Sequence, residues 1–103
     1  MQNIKVWLMD ERYNYIERSE INFAPVIGAL WSIGECEKKY PFLVGIDPYG
    51  DTYFNIHQAP KVIEELEELK KEVASESTQK EIVNTMEFFK KVEQGISVKF
   101  IGD

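Results

Sequence analysis

A chain of 103 residues makes one domain, long enough to bury a single core and too short for two. Its apolar fraction of 44% and thirteen aromatics (six Phe, five Tyr, two Trp) exclude a disordered chain. A net charge of −6 argues against a nucleic-acid ligand and an anionic membrane surface, and it leaves a basic protein partner open.

The single cysteine, Cys36, has no partner for an internal disulfide and no second thiol for a metal site. The first residues do not read as a cleavable signal, because Asp10, Glu11 and Arg12 follow an alternating stretch at once. No apolar run approaches the ~20 residues of a membrane span. The expectation is a cytoplasmic protein without cofactor or metal.

In chain order, residues 3–9 predict a strand, with Ile4, Val6 and Leu8 on one face and Lys5 and Trp7 on the other. A polar turn over 10–14 leads to a second, weakly patterned strand over 15–23, with Ile16, Ile21 and Phe23 as its apolar positions. Pro25 opens a helix whose apolar residues include Val26, Ile27, Leu30, Trp31 and Ile33; it fades through 35–39 ahead of Pro41. Trp7 and Trp31 are expected in the core. The continuous apolar run 42–46 reads as a buried strand and 52–56 as its hairpin partner, joined by the Asp47-Pro48-Tyr49-Gly50-Asp51 turn.

Two helices follow. The first covers 59–74, with Val62, Ile63, Leu66, Leu69 and Val73 as its stripe and the glutamates of 64–72 on its solvated side. Thr78 with Glu81 has capping-box spacing for the second. That helix has the stripe Ile82, Val83, Met86, Phe89 and Val92, and Gly95 is placed to end it. A strand over 96–101 closes the chain. The predicted fold is a single α+β domain over 1–103: a mostly antiparallel sheet of four to five strands, with a C-terminal αα-hairpin and one earlier helix packed on it.

Chemistry-bearing residues concentrate between 47 and 58. Asp47, Asp51 and Asn55 recur every fourth residue, and His57, the only histidine, follows. The spacing does not fit a calcium loop, because the third position is Tyr49. Asp47 and Asp51 read first as turn caps, Asn55 as a cap for the helix after it, and His57 as a solvated residue. Acidic neighbours argue against a reactive Cys36 thiol. Phosphate-cradling loops, paired Cys/His spacing and a nucleophile elbow are absent from the sequence.

The stretch Val44-Gly45-Ile46-Asp47-Pro48-Tyr49-Gly50-Asp51-Thr52-Tyr53-Phe54-Asn55, with Gln58, the Leu/Glu-rich helix after it and the closing Phe100-Ile101-Gly102-Asp103, resembles a group of small bacterial proteins of unassigned function. They share a G-I-D-P-Y-G-D-T-x-F-N core. The resemblance implies no reaction; it marks Asp47, Tyr49, Asp51, Thr52, Asn55 and Gln58 as positions to test. With His57 added, these seven form the expected binding set.

Size, acidity and the lack of catalytic motifs predict a non-enzymatic interaction protein of the immunity or inhibitor kind, which blocks a basic partner with its acidic loop and helix surfaces. The alternative is a small ligand-binding or enzymatic domain that uses Asp47, Asp51, Asn55 and His57 around a pocket. A homodimer with an exposed Trp31 or Phe88 at its contact is a third expectation.

Overall fold

The protein is described by a computed structural model over residues 3–102. Strand β1 (Ile4–Asp10) turns back into β2 (Tyr15–Asn22) around a loop organised by Asp10. The Asp10 Oδ1 accepts from the backbone N–H groups of Arg12 and Asn14, each at 2.9 Å, and Oδ2 accepts from the Asn14 side-chain amide at 3.2 Å. β4 (Ile96–Gly102) pairs along all of β1, from Ile4 opposite Gly102 to Asp10 opposite Ile96. β3 (Asp51–Phe54) pairs with the other side of β4, giving the antiparallel order β2-β1-β4-β3.

Alternation along the strands separates two faces. Ile4, Val6, Leu8, Phe54, Val98 and Phe100 are buried under the helices. These are α1 (Ala24–Trp31), the short α2 (Cys36–Lys39), α3 (Ala59–Glu72) and α4 (Glu76–Phe89). The last two pack as a helical pair, with Val62, Leu66, Leu69, Ile82, Phe88 and Phe89 turned inward. Phe100 is the hub of the core. Its ring centroid lies 4.9 Å from Phe23, 5.8 Å from Phe54 and 6.0 Å from Phe89, within the range where aromatic pairs attract.

Several expectations are corrected. Residues 42–46 are not a strand, and the hairpin across 47–51 does not form: Leu43–Gly45 is a turn of 3-10 helix, and β3 pairs with β4 instead. A short apolar run does not distinguish a buried strand from a buried helical turn. Here burial falls on Leu43 and Ile46, three apart, and the buried Glu65 supplies the acceptor that a helical start needs. Glu65 is therefore not on the solvated side of α3.

Ser75 caps α4, with its hydroxyl accepting from the Thr78 N–H at 3.3 Å, while the Glu81 carboxylate accepts from the Asn22 N–H at 2.8 Å. The predicted capping box is thus absent, because Glu81 finds a partner across the fold. α4 ends at Phe89, and Gly95 (φ 82°) serves the turn into β4 rather than the helix end. Trp31 is 49% exposed and Trp7 half-buried on the helix-free face, so neither is a core residue, whereas Phe88 is buried. Ile16, expected to pack, sits at a register shift of β2 and is 51% exposed.

Candidate functional site

The seven expected site residues divide between the two ends of β3. Asp47, Tyr49, Asp51 and Thr52 lie at or before its start; Asn55, His57 and Gln58 follow its end. Four residues of strand separate Asp51 from Asn55 by roughly 13 Å.

At the first end, the bend is bound to itself. The Asp47 N–H donates to the Thr52 hydroxyl at 3.0 Å, and the Asp47 Oδ1 accepts from the Tyr49 N–H at 2.8 Å. The Gly50 carbonyl accepts from the Gly102 N–H at 2.7 Å, which fastens the bend to the end of β4. Gly102 has no room for a side chain: a Cβ there would overlap the Pro48 carbonyl group. Gly102→Ala is therefore expected to push the bend off β4 and cost about 1–3 kcal/mol, as overpacking does. A denaturant midpoint matching that of the parent protein would contradict this contact. Asp51 pairs with Lys99, Oδ2 to Nζ at 3.5 Å, and Tyr49 points outward with 69% of its surface exposed.

At the second end, Asn55 and Gln58 cap each other's turn. The Asn55 Oδ1 accepts from the N–H groups of His57 and Gln58 at 2.9 and 3.2 Å, and the Asn55 N–H donates to Gln58 Oε1 at 2.9 Å. This reciprocal arrangement has capping-box logic, with the amide of Gln in place of a carboxylate. It starts the chain into α3, and it leaves the His57 side chain exposed.

His57 borders a cleft of about 210 Å³ with Glu11, Asn55, Gly95 and Ser97 along its wall. Glu11 and Ser97 also line a neighbouring cleft of about 270 Å³, whose other walls are Met9, Asp10, Tyr13 and Tyr53. The two form one concavity where the β1–β2 loop, the end of β3 and the start of β4 meet. Neither aspartate of the bend lines it. Glu11, His57 and Ser97 share this concavity, yet among the described residues no hydrogen bond links their side chains, so no nucleophile–base pair is assembled. The Asn14 backbone N–H, ahead of the other groups around it, holds the Asp10 carboxyl below the usual range and keeps it ionised.

Sequence reasoning about the bend passed over the helix-free face of the sheet. Arg18, Trp7, Lys99 and Tyr53 stand opposite one another across all four strands. The Arg18 guanidinium lies 4.6 Å from the Trp7 ring centroid, and the Lys99 ammonium 5.3 and 5.4 Å from the Tyr15 and Tyr53 rings. Burial works to lower the Lys99 pKa, but hydrogen bonds to Tyr15 and Tyr53 and the charge of Asp51 outweigh it and raise the pKa. The signal was present in Lys5 and Trp7 sharing the second face of β1. What the sequence could not supply was the neighbouring strand.

Among the described residues, no three His, Cys, Asp or Glu side chains gather closely enough to hold a metal ion. Likewise no helix is long and apolar enough to cross a membrane. Compared with protein-family models, with curated proteins and with solved structures, the chain finds no match.

Proposed function

We propose that this chain is a non-enzymatic interaction protein of the immunity or inhibitor kind, recognising a basic partner protein through acidic loop and helix surfaces. The carrying observation is the set of carboxylates left for an outside partner. Glu64 and Glu67 on α3 are exposed and enter no ion pair among the described residues, and Asp47 presents an exposed carboxylate on a rigid bend. A bend fastened by its own hydrogen bonds loses little conformational entropy on binding, which favours affinity.

Not all the acidic surface is offered. Glu65 is consumed by backbone N–H groups, Glu72 by Tyr40 and Lys39, and Glu68 pairs with Lys71 at 3.1 Å. The cations of the open sheet face are stacked on their own aromatics or matched by Asp51, so they offer little to a polyanion. The enzymatic alternative draws less support, because Asp47 and Asp51 lie away from Asn55 and His57.

Tagged protein passed through extract of its host should retain a stoichiometric partner of high pI. That partner should elute as salt is raised toward 1 M, where the Debye length is only ~3 Å. Cross-links should run from the partner to the 47–51 bend or to α3 around Glu64 and Glu67. Recovery of no basic partner, or of one that salt does not release, overturns the reading.

A further inference from the structure

Three of the five exposed aromatics among the described residues lie together. Tyr13 (74% exposed), Tyr15 (43%) and Tyr53 (43%) gather at the end of the sheet where β1 turns into β2. Tyr13 and Tyr53 wall the cleft of about 270 Å³ floored by Met9 and Ser97, with Asp10 and Glu11 on its rim. Lys99 already lies 5.4 Å from the Tyr53 ring centroid, so the Tyr13 ring, with no cation over it among the described residues, supplies the quadrupole and the carboxylates the charge that attract an outside cation. We propose that this cleft is a subsite for the guanidinium group of an arginine side chain. It rests on the basic-partner reading and places that partner's anchoring arginine.

The charges around the cleft favour this occupant. Asp10 and Glu11 enter no ion pair among the described residues, the Arg12 charge in the same loop offsets one of them, and the nearby Lys99 is matched by Asp51 at 3.5 Å. One net negative charge remains beside the cleft. Both Asp10 oxygens are engaged by the loop, so Asp10 acts as a fixed charge and Glu11 is the carboxylate free to accept a forked pair of N–H bonds. A planar guanidinium can lie against a tyrosine face while its edge meets Glu11. An ammonium can reach only one of these at full strength. Met9 adds an adaptable apolar floor for the arginine stem.

The test titrates the intact protein with N-acetyl-argininamide, following backbone amide shifts by ¹H–¹⁵N NMR. Its neutral isostere N-acetyl-citrullinamide and its lysine counterpart serve as parallel probes. The expected result is saturable shifts confined to residues 9–13, 53–55 and 97, absent with the citrulline probe and weaker with the lysine probe. Tyr13→Ala and Glu11→Gln, both at exposed positions, should each weaken the arginine probe about two- to fivefold. Glu67→Gln should leave it unchanged. Shifts that stay linear, spread over α3, or keep the parent's affinity in both Glu11→Gln and Tyr13→Ala overturn the subsite while leaving the basic-partner reading intact. Equal response to the lysine probe overturns the guanidinium assignment. Saturable binding here with no basic partner recovered from extract leaves the subsite standing and removes the partner reading.

Discussion

Phe100→Ala is expected to destabilise the protein by about 3–5 kcal/mol, the largest effect of any single substitution considered. The side chain is fully buried and touches three other phenylalanines: Phe23 from the start of α1, Phe54 from β3 and Phe89 from the end of α4. Truncation removes its transfer free energy and leaves a cavity that four separate elements would have to close together. It also takes the central aromatic contact from β3, an edge strand of four residues with no other strand partner. For a domain of this size, each kcal/mol lowers Tm by roughly 4–8 °C, so the variant should melt far below its parent. Phe100→Leu, which keeps most of the volume, should cost markedly less. Equal losses for the two variants would show that aromatic volume at this position is not what holds the layers together.

The second large effect belongs to Glu65. Its carboxylate accepts from the Leu43 N–H at 3.0 Å and from the Phe42 N–H at 3.1 Å, which are N–H groups that the 3-10 turn cannot satisfy internally. Glu65→Ala leaves two donors unpaired beneath α3, and a cost of about 2–4 kcal/mol is expected. Glu65→Gln retains an oxygen in the same place and should stay within about 1 kcal/mol of the parent protein at neutral pH.

The two forms should differ in their response to pH. Burial raises the Glu65 pKa above its ordinary 4.5, against the lowering effect of the Leu43 and Phe42 N–H groups. The folded state thus holds this proton to higher pH than the unfolded chain does. The stabilisation from Glu65 is fully present below 4.5 and is lost as pH rises through the folded value. Stability of the parent relative to Glu65→Gln should therefore increase as pH is lowered from 7 toward 4.5, measured by urea unfolding at each pH. Asp10 and Glu72 titrate in the opposite sense. The Asn14 N–H lowers one and the Tyr40 hydroxyl the other, so their contributions are lost as pH falls; comparison with Glu65→Gln cancels both. A flat difference between the two proteins over this range would show that Glu65 titrates alike in the folded and unfolded states, so that its burial has no energetic consequence.

The two residues differ in how far the sequence reveals them. Phe100 is legible as a core residue because it alternates with Val98 in a short run of β-formers. Glu65 is not legible, since nothing about one glutamate among five on an amphipathic helix marks it as the one facing inward. Its partners lie 22 and 23 residues earlier, in a segment whose apolar run argues for a strand. The candidate site shows the same division. The local caps of Asp47 and Asn55 follow from residue type and spacing within a few positions. The cleft between Tyr13 and Tyr53 exists only because β1, β3 and β4 lie side by side.

From its residues alone, this chain determines a helical layer on an antiparallel sheet, with Ile4, Val6 and Leu8 facing the core and stripes on α3 and α4 that meet them. Periods of 2 and 3.6 are properties of neighbouring residues, so they can be read in any chain that carries them. Tertiary structure decided that β3 would pair with β4 rather than with the run before it, that Glu81 would serve Asn22 instead of its own helix, and that four tyrosine and acidic side chains would line one hollow. Those outcomes depend on which distant donors and strand edges remain unpaired once the core has closed. That competition is settled in three dimensions and leaves no periodic trace along the chain.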